Sequence, residues 1–113
     1  MVRPLTARER GILDLLLSVE FPGVGELREQ TRFVMAEREG MVFDLVVPGS
    51  LPKASVVSRT PVQALVDGDG YDGGVLLFVD DGRLSAMAYW WVTEEKPALF
   101  PPLSAVGRPI TSA

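Results

Sequence analysis

Gly74-Val-Leu-Leu-Phe-Val-Asp-Asp-Gly-Arg-Leu-Ser-Ala-Met-Ala-Tyr-Trp-Trp91 reads as a β-hairpin. Two runs of strand-forming residues flank Asp81-Gly82, a dipeptide suited to the left-handed backbone of a two-residue turn. With Asp80 opposite Arg83, an uninterrupted pleat places Val75, Leu77, Val79, Leu84, Ala86, Ala88 and Trp90 on one side. Leu76, Phe78, Met87, Tyr89 and Trp91 then lie on the other. Both sides are apolar. One has to be core, and the other needs a cover: another part of the chain, a second copy or a partner protein.

Upstream of the hairpin, Thr6-Ala-Arg-Glu9 has the spacing of a capping box and predicts a helix start. Ile12, Leu15, Leu16 and Val19 follow at helical spacing, with Leu13 and Leu17 widening the stripe, so the helix is expected over Thr6 to Val19 and well buried. Pro22 restricts Phe21 to extended geometry and ends it. A second, shorter helix after Pro22-Gly23 should turn Val24, Leu27 and Thr31 inward. Thr31 to Glu37 and Met41 to Val47 read as a hairpin turning at Glu39-Gly40. Val56 to Thr60 reads as a short edge strand and Pro61 to Asp67 as a further strand. Beyond Trp91 the chain is an irregular tail pinned by Leu99, Phe100 and Leu103. Helices first and strands after predict one α+β domain over residues 1–113, two helices on one face of an antiparallel sheet of four to five strands.

Composition narrows the chemistry. The 113 residues contain no Cys and no His. Thiolate metal sites, disulfides and thiol nucleophiles are excluded, and so are the imidazole bases and ligands. An enzyme of this composition would have to use carboxylates, lysine, tyrosine or hydroxyls. The formal net charge is −4, without a basic run, which argues against nucleic acid. No segment approaches the ~20 apolar residues of a membrane span, and the N-terminus lacks a signal-peptide pattern. The expectation is a cytoplasmic protein. Charge is uneven: Asp67 to Glu95 holds seven carboxylates and one Arg, whereas residues 1–40 hold seven carboxylates and six Arg.

Three constellations carry chemical possibilities. Asp67, Asp69 and Asp72, with glycines between, suggest a calcium loop, but the spacing would put Tyr71 and Phe78 at ligand positions, so the residues read better as turn formers and no metal is expected. Ser50-Leu-Pro-Lys53 matches a serine–lysine nucleophile spacing, yet Pro52 opposes the helix that chemistry needs. Asp44 interrupts an apolar strand, where it is either a buried carboxyl of raised pKa or a solvated group paired with an Arg such as Arg32.

The Leu-Thr-x-x-Glu start, the Phe21-Pro-Gly-x-x-x-Leu27-Arg-Glu-Gln30 segment and the late Asp-Gly-x-Leu-Ser85 before an aromatic strand resemble a set of small bacterial proteins without an assigned reaction. That resemblance implies an accessory domain and assigns no site residues.

Phe78, Met87, Tyr89 and Trp91 form the candidate interaction surface, with Asp67, Asp69, Asp72, Asp80 and Asp81 beside it. The alternative for the aromatic set is a second core beneath the Leu99-Phe100 tail. Gly74 is expected under Tyr89. These residues lead to a non-enzymatic protein-binding module, an accessory or acidic immunity-type protein that meets a basic partner and has no cofactor. A homodimer through the aromatic patch is a further expectation. A small-molecule domain with an aromatic pocket between sheet and tail, lined by Tyr89 and Trp90 or Trp91, is the alternative, and a carboxylate enzyme built on Asp44 the third.

Overall fold

In the computed structural model, which describes residues 1–68 and 70–112, the central turn forms as its composition requires. Asp81 and Gly82 take positive φ, 52° and 73°, the backbone whose twist matches the strands it joins. A Cβ on Gly82 would come within 2.6 Å of the Lys53 Cβ, so both dihedral and space select glycine there.

The chain runs through β1 (Val2–Arg3), α1 (Ala7–Leu16), α2 (Val24–Gln30), β2 (Met35–Glu37), β3 (Val42–Val46), β4 (Val62–Val66), β5 (Gly73–Asp80), β6 (Arg83–Trp91) and β7 (Ile110–Thr111). The strands form one antiparallel sheet of order β1-β2-β3-β6-β5-β4-β7. The α+β class and the helix-on-sheet arrangement agree with the sequence reading. The strand count does not: the sheet has seven strands, two of them the two-residue end strands β1 and β7, which are too short to show an alternating pattern. Val56–Thr60 is not a strand. Its Arg59 carbonyl accepts from the Val79 amide (2.8 Å) while the Ser58 hydroxyl takes the Thr60 amide (3.1 Å), so the segment closes the end of β5 as a loop. β4, β5 and β6 form a meander and β3 lies beside β6, a Greek-key order.

One residue corrects the face assignment. Asp80 does face Arg83 and Val79 faces Leu84, but Phe78 then faces Ala86, which leaves Ser85 as the extra residue of a β-bulge. Beyond it every side chain of β6 changes sides. Val75, Leu77, Val79 and Leu84 therefore share the helix-covered face with Met87 and Tyr89, all at most 3% exposed. Ala86, Ala88 and Trp90 fall on the opposite face with Leu76 and Phe78. Ala86 and Ala88 thus make no room for α1, contrary to the unbroken pleat.

The helix layer follows from local chemistry. Thr6 accepts from the Glu9 amide (3.1 Å) and the Glu9 carboxylate accepts from the Thr6 amide (2.9 Å), completing the capping box. Ile12, Leu13 and Leu16 are fully buried against the sheet. α1 stops at Leu16, short of Val19, where the Ser18 amide donates back to Leu15 O (3.0 Å) and Arg28 takes the carbonyl of the C-cap residue Leu17 (2.7 Å) and that of Val19 beyond it (3.4 Å). In α2, Val24 and Leu27 point inward as expected, while the third inward residue is Gln30, not Thr31. The Gln30 amide nitrogen donates to Pro52 O (3.1 Å) and Gly82 O (2.9 Å), and its oxygen accepts from the Leu84 amide (2.9 Å). One fully buried polar side chain thereby ties α2, the Pro52 loop and the central turn together.

The tail crosses the same inner face. Phe100 wedges between Phe43 (ring centroids 5.5 Å apart) and Tyr89 (5.9 Å), while Leu99 and Leu103, expected as pins, are largely exposed.

Candidate functional site

The helices and the tail cover one face of the sheet and leave the other open; the smallest dimension of the molecule is 19 Å, the depth of one helix layer on one sheet. Cross-strand register sets the composition of the open face. One row runs Ile110, Gln63, Leu76, Ala88 and Val42; the next runs Leu65, Gly74 and Trp90; a third runs Phe78, Ala86, Asp44 and Glu37. Trp90 is 40% exposed, Leu65 57% and Val42 59%. Trp90 lies flat across Gly74, where a Cβ would sit 2.5 Å from the indole ring. The cross-strand partner of Gly74 is therefore Trp90 and not Tyr89, another consequence of the bulge.

Each carboxylate in these rows, and Asp80 at the end of β5, is paired within the chain. Glu37 meets the Met1 ammonium (3.4 Å), Asp44 meets Arg38 (3.6 Å) and Asp80 meets Arg59 (2.7 Å). Arg59 also lies over the Phe78 ring, 5.7 Å from its centroid. Hydrogen bonds from Arg59 and Ser85 hold the Asp80 carboxyl below its ordinary value. The surface therefore combines an apolar patch around Trp90, Leu76 and Ala88 with charges that are paired within the chain, Asp44 standing beside Ala86.

The anticipated interaction residues are divided by the fold. Phe78 is on the open face. Met87 and Tyr89 are core, and Trp91 is half-buried on the inner face beneath Lys96, whose ammonium lies 5.8 Å from the ring centroid. The Tyr89 hydroxyl donates to Tyr71 O (2.6 Å), and burial pushes the phenol up from its ordinary value. For Tyr89, the alternative of a core beneath the tail is the one realised.

The acidic set is divided too. Asp67 and Asp72 stand at the start of β5, Asp80 and Asp81 at its end, roughly 25 Å away at strand rise. Asp69 lies outside the described residues. Asp72 accepts from the Gly68 amide (3.0 Å), closing the loop. Asp81 is held by Lys53 (3.0 Å) and Arg83 (3.1 Å), whose hydrogen bonds and charges, Lys53 foremost, lower its pKa. Among the described residues no three acidic groups gather to hold a metal ion. Lys53 is engaged by Asp81. Asp44 is solvated with Arg38, while Arg32, its suggested partner, pairs with Glu29 (3.2 Å).

A groove of about 620 Å³ opens between the start of α1 and the tail, lined by Arg3, Arg8, Glu9, Met41, Leu99 and Phe100. It occupies the sheet–tail position expected of a pocket but contains none of Tyr89, Trp90 and Trp91. Most of its polar groups are already occupied. Arg3 forms a two-pronged pair with Glu9 (2.7 and 3.0 Å) and donates to Pro4 O and Arg38 O. Burial raises the Glu9 pKa, and the hydrogen bonds from Arg3 and Thr6 outweigh it, leaving the carboxyl below its ordinary value. Arg8 donates to Phe100 O (2.8 Å) and fastens the tail.

Comparison with protein-family models, with curated proteins and with solved structures finds no match to this chain. No helix among the described residues is long and apolar enough to cross a membrane. Sequence reasoning offered Trp90 only as a pocket-lining alternative on the other hairpin face and did not single out Leu65 or Val42; the local sign of the phase change is Ser85, a polar residue within an apolar strand.

Proposed function

We propose that the protein is a non-enzymatic protein-binding module that docks through the open face of its sheet. The observation that carries this reading is the apolar surface around Trp90, Ala88 and Leu65, whose neighbouring carboxylates are already paired within the chain. Such a surface can be desolvated without stranding a charge. The sequence supports it by containing neither His nor Cys, and Asp44, the one candidate catalytic carboxyl, is a solvated ion-pair member. An accessory role fits this surface better than an immunity-type role does. The latter asks for one acidic site flanked by aromatics to meet a basic partner, and the aspartates stand at two ends of β5 with Asp80 and Asp81 neutralised.

The test is a photo-cross-linking side chain placed at Ala88, compared with one at the exposed Asp14 of α1. Covalent adducts to polypeptide are expected from position 88 alone and are expected to vanish when Trp90→Lys is added. Absence of any polypeptide adduct from position 88 in cells would refute the reading. A small-molecule role draws on one observation, the groove beside Arg8, and predicts ligand-induced thermal stabilisation that Arg8→Ala removes.

A further inference from the structure

We infer that the occupant of the open sheet face is a second copy of this chain, related by a twofold axis so that the two sheets stack and the helix layers lie outermost. This inference rests on the protein-binding reading and names the partner. Area is the first argument. Trp90, Leu65, Val42, Val46 and Ile110 keep between 39% and 59% of their surface exposed. With the half-buried Leu76, Phe78 and two alanines they offer roughly 500 Å² of apolar surface, and the neighbouring paired charges extend the face toward the ~800 Å² that each partner gives to a standard interface.

Charge is the second argument. Glu37, Asp44 and Asp80 are neutralised by the Met1 ammonium, Arg38 and Arg59 of the same chain. A face without net charge offers no electrostatic handle to a basic or an acidic partner, and two such faces meet without repulsion although each chain carries −4 overall.

Shape is the third. Ala86 and Ala88 leave a shallow floor, with Phe78 and Leu65 beside it and the Trp90 ring lying flat across Gly74. In an isologous contact the bulky residues of one copy sit over the alanines of the other. Sheets stacked this way lie ~10 Å apart.

The experiment is sedimentation velocity with light scattering on the whole chain across a concentration series. A mass twice the 12.3 kDa chain is expected at tens of micromolar. Ala88→Lys should raise the dimer dissociation constant on the order of a hundredfold or more, by placing an unpaired charge in the interface. Leu65→Glu, at a 57% exposed position, should do the same and decides the matter if Ala88→Lys loses its near-UV circular dichroism. Asp14→Lys on the helix layer should leave the dimer intact. A wild type of single-chain mass up to roughly 200 μM, or a dimer indifferent to the open-face charges, would overturn the inference. In the first case, adducts from position 88 to another polypeptide would leave the protein-binding reading standing, and their absence would remove both.

Discussion

Replacing Gln30 by Met keeps side-chain volume and removes three hydrogen bonds at once. The Leu84 amide loses its acceptor at 2.9 Å and the Pro52 carbonyl loses a donor at 3.1 Å, whereas the Gly82 carbonyl still accepts from the Ala54 amide at 2.8 Å. An orphaned buried donor costs about 1 to 3 kcal/mol, and a partly satisfied carbonyl adds about 1 kcal/mol, so a loss of about 3 kcal/mol is expected. For a domain of this size that lowers Tm by roughly 10 to 15 °C. Urea unfolding should show a reduced midpoint with an unchanged slope, and the Leu84 amide should lose hydrogen-exchange protection before its neighbours in β6. Gln30→Glu adds a diagnostic sign. A carboxylate facing two carbonyl oxygens has a folded-state pKa above its unfolded value of ~4.3, so its deficit should be smaller at pH 4 and grow as pH rises. A Gln30→Met midpoint within about 0.5 kcal/mol of wild type would refute the role assigned to this side chain.

Leu16→Ala empties a fully buried site between α1 and the sheet and should cost about 2 to 5 kcal/mol in urea titration. Glu9→Gln should destabilise by about 1 to 3 kcal/mol at neutral pH. Because Glu9 has a folded pKa below its ordinary 4.5, the wild type keeps this contribution above that value and loses it as pH falls through the folded pKa. The gap between the two proteins should thus be flat from pH 6 to 8 and close in acid, as read by thermal melts. The chain has no Cys, so Ala88→Cys supplies a single thiol; a bismaleimide of ~10 Å reach, matching the sheet separation, should link two copies from position 88 and none from Asp14→Cys.

How far the sequence disclosed this arrangement varied with the range of the interaction. Thr6 and Glu9 marked the start of α1 because a capping box is complete within four residues. Asp81-Gly82 marked the central turn because its dihedrals are local. The end of α1 depended on Arg28 reaching back to Leu17 and Val19, a contact between elements that no periodicity encodes. The face of Met87, Tyr89 and Trp90 depended on a single bulge at Ser85, and strand alternation is read modulo two, so one extra residue exchanged the core and surface lists for the rest of β6. Thr31 was expected to point inward in place of Gln30, because the three groups that Gln30 serves come from Pro52, Gly82 and Leu84, outside the helix's own periodicity. The open face was legible only as a surplus of apolar residues; which of them were surplus required the register.

The position of β3 beside β6 has a consequence for how the molecule assembles. Phe43 pairs with Met87, so this contact closes a loop of more than forty residues, at an entropic cost of about 3 kcal/mol before any strand bond compensates it. The β5–β6 hairpin closes across two residues and meets no such barrier. The hairpin therefore belongs to the early part of folding, and β3 belongs to the late part together with the Gln30 latch, whose partners Gly82 and Leu84 lie 52 and 54 residues away. Substitutions in β3, such as Phe43→Leu, should hasten unfolding while leaving the refolding rate nearly unchanged, and substitutions at Leu77 or Leu84 should slow refolding. Until β3 arrives, the β6 edge and the open face are bare together, so the chain is most prone to aggregate during this interval.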